Sequence, residues 1–319
     1  MPSRTWASLA AQSTVHAVLA VLAVEALVGL WRARSPSDRL ALRLAGLLQP
    51  ALVTPCLWLL FPARWKEDFR FSLLALRHFD ELRLGRFGLV EVGMACGAAL
   101  SAALLLMDLW PLVRRGRDLA ETVRAPERLV AELSRVAAER GIAPPTLRFV
   151  RSRTASLYCS GVRRPCLLVS EGALELLDPL ELRSALGHEL AHLKAHDPAL
   201  SWALLLVRSL LWWNPVVQVV ARAVARDAEW RADERAGEDR LALASAVLKL
   251  HRAGIARPQQ LFVPLSYRLA APLRRARSHD VAARCRRLLE SSPVPVMAFR
   301  PARLALTVAS FAVLALAVT

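Results

Sequence analysis

Long apolar stretches alternate with charged segments along the first third of the chain. They occupy residues 6–31, 41–62 and 88–113. Each stretch is long enough to cross about 30 Å of hydrocarbon as a helix that rises about 1.5 Å per residue. A further apolar stretch covers residues 302–319. The pattern predicts about four transmembrane helices, with residues 1–113 forming three of them and their short loops.

The segment between the third and fourth stretches, residues 114–301, is more polar and long enough to form a domain with its own core. Apolar residues at helical spacing predict a helix from Glu127 to Arg140, and Asp178-Pro179 predicts the start of another helix that runs to His196. Short apolar or alternating runs predict two or three strands, at residues 146–150, 155–160 and 166–170. The expected fold is a mainly α membrane protein with an α+β domain that carries a small β-sheet.

The apolar run at residues 199–225 is interrupted by Arg208 and by Asn214-Pro215. This break divides the run into two short helices. Paired Trp residues and an arginine with a long aliphatic stem suit the membrane interface. We therefore expect a helical hairpin that dips into the bilayer, and a full membrane span is the alternative. A further helix is predicted for residues 222–241.

Composition supports the membrane prediction. The chain is 55% hydrophobic with a mean hydropathy of +0.33, which is too apolar for an ordinary soluble protein. Its net charge of +16 favours anionic lipid headgroups, and we expect no direct binding of nucleic acid. The basic links after the first and third stretches predict a multi-pass protein of the inner cell membrane, with its N-terminus outside and residues 114–301 in the cytoplasm.

The sequence His188-Glu189-Leu-Ala-His192 lies within the helix predicted for residues 178–196. Residues at i and i+4 share one helix face, so both imidazoles can reach one tetrahedral zinc ion. The carboxylate of Glu189 would then face a water activated by the metal and accept its proton. The alternative is a chance match on a surface helix.

A third ligand is predicted at Glu229, which begins the sequence Glu229-Trp-Arg-Ala-Asp233. Glu229 and Asp233 share a helix face, so the glutamate can bind zinc while Asp233 accepts the remaining ring N–H of a ligating histidine. The alternative is an acidic pair on a solvated helix.

Asp197 is predicted either to support a ligating histidine in the same way or to cap the end of a helix. Cys159 and Cys166 are predicted to pack in a core.

The order of these features resembles the BlaR/MecR-type integral membrane zinc metallopeptidases, which are glutamate-ligand zincins distantly similar to HtpX and CAAX prenyl proteases. The resemblance is carried by His188-Glu-Leu-Ala-His192, Trp212-Trp213-Asn214-Pro215 and Glu229-Trp-Arg-Ala-Asp233. It implies His188, His192 and Glu229 as zinc ligands, Glu189 as the base and Asp233 as a support. Ser278-His279 and the segment Arg284–Leu288 resemble the C-terminal His and Arg segment of that group, which makes His279 a candidate for stabilising the oxyanion.

The resemblance implies a zinc metallopeptidase with its active site facing the cytoplasm, whose substrate is a protein or peptide such as a cytosolic transcriptional repressor in signal transduction. Because the sequence ends at Thr319, we expect it to lack the C-terminal penicillin-sensor domain of the antibiotic-sensing members. Two alternatives remain open, a catalytically silent membrane scaffold or signal transducer and a housekeeping protease that degrades membrane proteins. The strand at residues 155–160 is a candidate edge for binding an extended substrate.

Overall fold

The protein is mostly helical and carries a small mixed β-sheet. The computed structural model describes residues 2–33, 35–60, 83–84, 87–114, 122–237, 239–256 and 274–290, together with residues 305, 307 and 309. The helices are α1 (Pro2–Leu30), α2 (Pro36–Leu60), α3 (Leu89–Arg114), α4 (Glu127–Glu139), α5 (Glu171–Leu176), α6 (Pro179–Lys194), α7 (Asp197–Leu210), α8 (Pro215–Arg235), α9 (Arg240–Ala256) and α10 (Arg274–Glu290). The strands are β1 (Arg83–Leu84), β2 (Phe87–Gly88), β3 (Thr122–Val123), β4 (Thr146–Val150), β5 (Leu157–Ser160) and β6 (Cys166–Ser170).

The chain divides into two compact units, and α3, α7 and α8 contribute residues to both. The first unit comprises Met1–Leu106, Leu204–Asp227 and Val296–Thr319. The second comprises Met107–Ala203 and Ala228–Pro295. The second unit holds the sheet and the predicted metal-binding residues.

In the first unit, Arg43 of α2 binds carboxylates on two other helices. Its Nε atom lies 2.8 Å from Oε1 of Glu25 on α1, and its Nη1 atom lies 2.7 Å from Oδ2 of Asp227 on α8. The Asp227 side chain is fully buried, and a buried charge requires such a partner. These ion pairs hold α1, α2 and α8 together.

The number of membrane-spanning helices is not confirmed by the structure. Among the described residues, one helix is long and apolar enough to cross a membrane, α1, through its segment Ser13–Leu30. The apolar segment of α3, Glu91–Leu104, is shorter. The helix predicted for residues 302–319 lies outside the described residues except at 305, 307 and 309. The prediction of about four spans therefore remains a prediction.

The sheet of the second unit has the strand order β3-β4-β6-β5. Strands β4 and β6 are parallel, whereas β5 and β6 form an antiparallel hairpin. The strands predicted at residues 146–150, 155–160 and 166–170 from apolar or alternating runs are confirmed, except that β5 begins at Leu157. Strand β3, with only two residues, was not predicted. Strand β5 lies at an edge of this sheet, next to α6.

Helices α4, α5 and α6 pack on the sheet through a common apolar core. Leu129 and Leu133 of α4, Leu167 of β6, and Leu186 and Leu190 of α6 are almost fully buried in it. The predicted start of α6 is confirmed: the Asp178 side chain accepts a hydrogen bond from the Glu181 backbone, and the Glu181 side chain accepts one from the Asp178 backbone. This reciprocal cap fixes the N-terminal end of α6, the helix that carries the His188 motif.

The helix predicted for residues 222–241 is wrong in its extent, because α8 ends at Arg235. Gly237 has a φ of +142°, which a helix cannot accommodate, and the Asp239 side chain accepts a hydrogen bond from the Ala242 backbone at the start of α9. The predicted break before Pro215 is confirmed, since Oδ1 of Asn214 accepts hydrogen bonds from the first turn of α8. Helix α6 likewise ends before His196, which has a φ of +55°.

Candidate metal centre

His188, Glu189 and His192 lie on the buried part of α6, and all three side chains are at least nine-tenths buried. Their positions follow from helical geometry, since the two histidines are one turn apart. The Nε2 atoms of His188 and His192 face each other at 3.1 Å. Two ring nitrogens so close together are stabilised when a cation lies between them.

Glu229 of α8 approaches the same point. Its Oε2 atom lies 3.6 Å from Nε2 of His188, and its Oε1 atom lies 3.6 Å from Nε2 of His192. Ligand atoms of the three side chains all lie within 4.8 Å of one another, so this group could hold a metal ion. The structure thus brings together the three residues predicted as ligands.

The donor set and its spacing fit zinc. In a tetrahedral site with metal–ligand bonds of about 2.0–2.1 Å, two ligand atoms are about 3.3 Å apart. The observed separations of 3.1, 3.6 and 3.6 Å bracket that value. Two His and one Glu also form a known set of catalytic zinc ligands that leaves one position open.

Each histidine presents its other ring nitrogen to an aspartate. Nδ1 of His188 lies 3.0 Å from Oδ1 of Asp233, and Nδ1 of His192 lies 2.7 Å from Oδ2 of Asp197. The His192 contact is a hydrogen bond, whereas Nδ1 of His188 lies close to Asp233 without hydrogen-bond geometry. An Nδ1 nitrogen that carries the proton leaves the Nε2 lone pair available for a metal. Asp197 is the first residue of α7, and its side chain contacts His192.

Two arginines, which the sequence reasoning missed as site residues, bind these aspartates. Arg284 of α10 donates to both carboxylate oxygens of Asp233, at 3.0 and 2.6 Å, and its Nη1 atom lies 3.1 Å from Oε2 of Glu229. Arg231 of α8 donates to Asp197. The only signal for Arg284 in the sequence was its place in the weakly similar segment Arg284–Leu288.

The charges of the site favour ionised carboxylates. Burial raises the pKa of Glu229, but the adjacent His192 imidazole and Arg284 guanidinium outweigh burial and lower this pKa to about 2. The pKa of Asp233 is also lowered, because Arg284 and His188 outweigh its burial. Burial lowers the pKa of His188, but the adjacent carboxylates of Asp233 and Glu229 raise it to about 9.

Glu189 contacts the edge strand of the sheet. The backbone N–H of Cys159 on β5 donates a hydrogen bond to Oε2 of Glu189 at 2.7 Å. Burial, together with the carboxylate of Glu189, raises the pKa of the Cys159 thiol well above its usual value. Cys159 packs in the core as predicted, at 7% exposure, but the contact of its backbone with Glu189 was not foreseen.

His279, the candidate for stabilising the oxyanion, belongs to α10. Its side chain lies outside the described residues. Its role therefore stays a prediction.

Comparison with known proteins agrees with this geometry. The chain is 31% identical over 136 residues to a protein named "Protease HtpX homolog" from Thermoplasma volcanium, a match that covers 40% of this chain and 44% of the relative. It is 32% identical over 101 residues to a protein of the same name from Methanocaldococcus jannaschii, a match that covers 31% of each chain. The chain thus spans less than half the length of the curated relatives it matches. The family described as BlaR1 peptidase M56 matches residues 93–258, which is just over half of the chain. The chain therefore belongs to the BlaR1 peptidase M56 family.

Proposed function

We propose that this protein is a membrane-embedded zinc metalloendopeptidase that hydrolyses peptide bonds. The observation that carries the proposal is the convergence of His188, His192 and Glu229, with Glu189 beside them. Family membership supports a metallopeptidase and implies a metal. Zinc is the metal proposed here, because two imidazoles and a carboxylate at tetrahedral spacing suit it.

His188, His192 and Glu229 would hold the metal, which supplies Lewis-acid activation of water and of the scissile carbonyl when bound. Glu189 would act as the general base and pass the proton to the leaving amine. Asp233 and Asp197 would hold the imidazole rings with Nε2 facing the centre, since each carboxylate lies beside an Nδ1 atom.

The substrate is proposed to bind as an added strand along β5. Ser170 donates a backbone hydrogen bond to the carbonyl of Ser156, so in the antiparallel pairing Leu157 and Cys159 direct their N–H and C=O groups away from β6. The hydrogen bond from the Cys159 N–H to Glu189 supports this orientation, because the N–H points to the side of β5 that faces away from β6. The N–H of Cys159 is already bound by Glu189, so an extended peptide on this edge would pair with the outward groups of Leu157 and lie beside the catalytic glutamate.

The regulatory part of the proposal is that the substrate is a cytosolic protein, such as a transcriptional repressor in signal transduction. It is supported by the likeness to BlaR/MecR-type peptidases and by the basic links that favour a cytoplasmic active site. The apolar segment of α1 supports attachment to the bilayer.

The test uses the full chain purified in lipid nanodiscs, with zinc content and cleavage of a peptide library measured on the same preparations. Glu189→Gln should abolish cleavage and keep about one zinc per chain, because the change removes the base and leaves the ligands. Glu229→Ala should lose most of the zinc. The matched control is Glu175→Gln, which changes an exposed carboxylate on α5 and should retain both properties.

Two results would overturn parts of the proposal. Unchanged zinc content in Glu229→Ala would mean that the third ligand is misassigned. Stoichiometric zinc in the unaltered protein without cleavage of any peptide would favour the silent scaffold. In cells, a cytosolic regulator that accumulates in the Glu189→Gln strain would identify the substrate, whereas accumulation of membrane proteins alone would favour housekeeping degradation.

A further inference from the structure

One guanidinium, that of Arg284, binds both carboxylates that α8 presents to the metal centre. Nε and Nη2 donate to Oδ2 and Oδ1 of Asp233, and Nη1 lies 3.1 Å from Oε2 of Glu229. Nη2 also lies 3.5 Å from Nε2 of His188. Arg284 is 5% exposed, so all these contacts are shielded from water.

This arrangement differs from the one on the other side of the centre. There, Arg231 donates to Asp197, whose second oxygen faces His192. Each histidine therefore contacts an aspartate, and each of these aspartates contacts an arginine. Arg284 is distinguished by its additional contacts with Glu229 and His188, two residues whose atoms face the proposed metal position.

Two buried carboxylates one helical turn apart repel each other, and each one loses its hydration. Glu229 and Asp233 form such a pair on α8. They stay ionised when a cation lies against both of them. The planar fork of an arginine suits this task, because it offers several N–H groups in fixed directions.

We propose that Arg284 is a positioning residue that keeps the metal centre assembled when no metal is bound, by holding Glu229 and Asp233 with its single guanidinium. The inference rests on the proposed function, because it assigns Arg284 a role toward the metal of that site. A zinc ion would supply positive charge to Glu229, so the protein should depend on Arg284 less with zinc than without it.

The experiment measures the melting temperature of the full chain in nanodiscs, first after removal of metal by a chelator and then with zinc restored. Arg284→Met removes the charge and keeps the length of the side chain. It should lower the melting temperature of the metal-free protein on the order of 10 °C, because two buried carboxylates lose the guanidinium that lies against both of them. The drop in the zinc-loaded protein should be less than half as large.

Two further variants complete the design. Arg286→Met is the matched control, because Arg286 is an exposed arginine on the same helix, and it should change neither melting temperature. Arg284→Lys keeps the charge but not the fork, and it should fall between the unaltered protein and Arg284→Met. If Arg284→Met does not fold without metal, the comparison of metal-free and zinc-loaded Arg284→Lys decides the question.

The inference would be overturned if Arg284→Met lowered the melting temperature equally with and without zinc, since that is the behaviour of an ordinary structural ion pair. If Arg284→Met does not fold, the same criterion applies to Arg284→Lys. Absence of any loss would also overturn the inference. Failure of the proposed function is recognised separately: the unaltered protein would then show no rise in melting temperature when zinc is restored.

Discussion

The backbone N–H of Cys159 donates a hydrogen bond to Oε2 of Glu189, with a donor–acceptor distance of 2.7 Å. The bond joins the edge strand β5 to the glutamate of the His188 motif. It orients the carboxylate from the side of the sheet, while the Nε2 atoms of His188 and His192, which face each other, lie on the same helix. This bond ties strand β5 to the helix that carries the candidate metal ligands.

If the substrate binds along β5 as an added strand, methylation of its backbone nitrogens should impair cleavage at every second residue. Alternate residues of an added strand turn their N–H groups toward the partner strand. Methylating those nitrogens should raise KM or lower the cleavage rate about fivefold each, since each lost hydrogen bond costs about 1 kcal/mol. Methylating the intervening nitrogens should have little effect. A uniform effect of methylation along the peptide would contradict this binding mode.

Asp233→Asn should weaken zinc affinity or activity by about 10–100-fold while the protein stays folded, as changes to groups that orient metal ligands typically do. The asparagine keeps an acceptor of the same size beside His188 but loses the charge that pairs with Arg284. Asp233→Ala should cause a larger loss. Glu290→Gln, an exposed change on α10, serves as the control. If the zinc affinity and cleavage rate of Asp233→Asn equal those of the unaltered enzyme, Asp233 has no such role.

Membrane orientation is tested by reporter fusions. The basic links after residues 6–31 and 88–113 predict that a reporter fused after Gly254 is cytoplasmic and one fused after Thr319 is extracytoplasmic. Paired enzymes that are active on only one side of the membrane give the readout. The reverse pattern would refute both the topology and a cytosolic substrate.

The start of α6 should make the protein sensitive to acid. Burial raises the pKa of Glu181, but hydrogen bonds from Lys249, Ser245 and the Asp178 backbone outweigh burial and lower this pKa below 4.5. A carboxyl whose pKa is lower in the folded state stabilises the fold above its unfolded pKa and loses that contribution as the pH falls through its folded pKa. Glu181→Gln should therefore lower the melting temperature at pH 7.

The difference between Glu181→Gln and the unaltered protein should shrink as the pH is lowered below about 4.5. Melting curves recorded between pH 7 and pH 4 measure it, with Glu175→Gln as an exposed control. A difference that is constant across this range would show that the charge of Glu181 does not stabilise α6.

The sequence alone determined the parts of the site that local geometry fixes. Helical spacing places His188 and His192 on one face and Glu229 and Asp233 on another, and this holds wherever the helices lie. Short apolar or alternating runs predicted the three longer strands of the sheet, and Asn214-Pro215 predicted the break before α8. The end of α8 was missed, although the sequence carries its signals: Gly237 follows the helix, and Asp239 caps the start of α9.

The tertiary structure decided which distant residues complete the site. Arg284 follows Asp233 by 51 positions and is one of 43 basic residues, so no spacing rule distinguishes it from the others. The contact of Cys159 with Glu189 uses a backbone N–H, which every residue except proline carries, so the residue type gives no signal. Such contacts depend on how α6, α8, α10 and β5 pack, and packing is set by the shapes of many side chains together rather than by a local pattern.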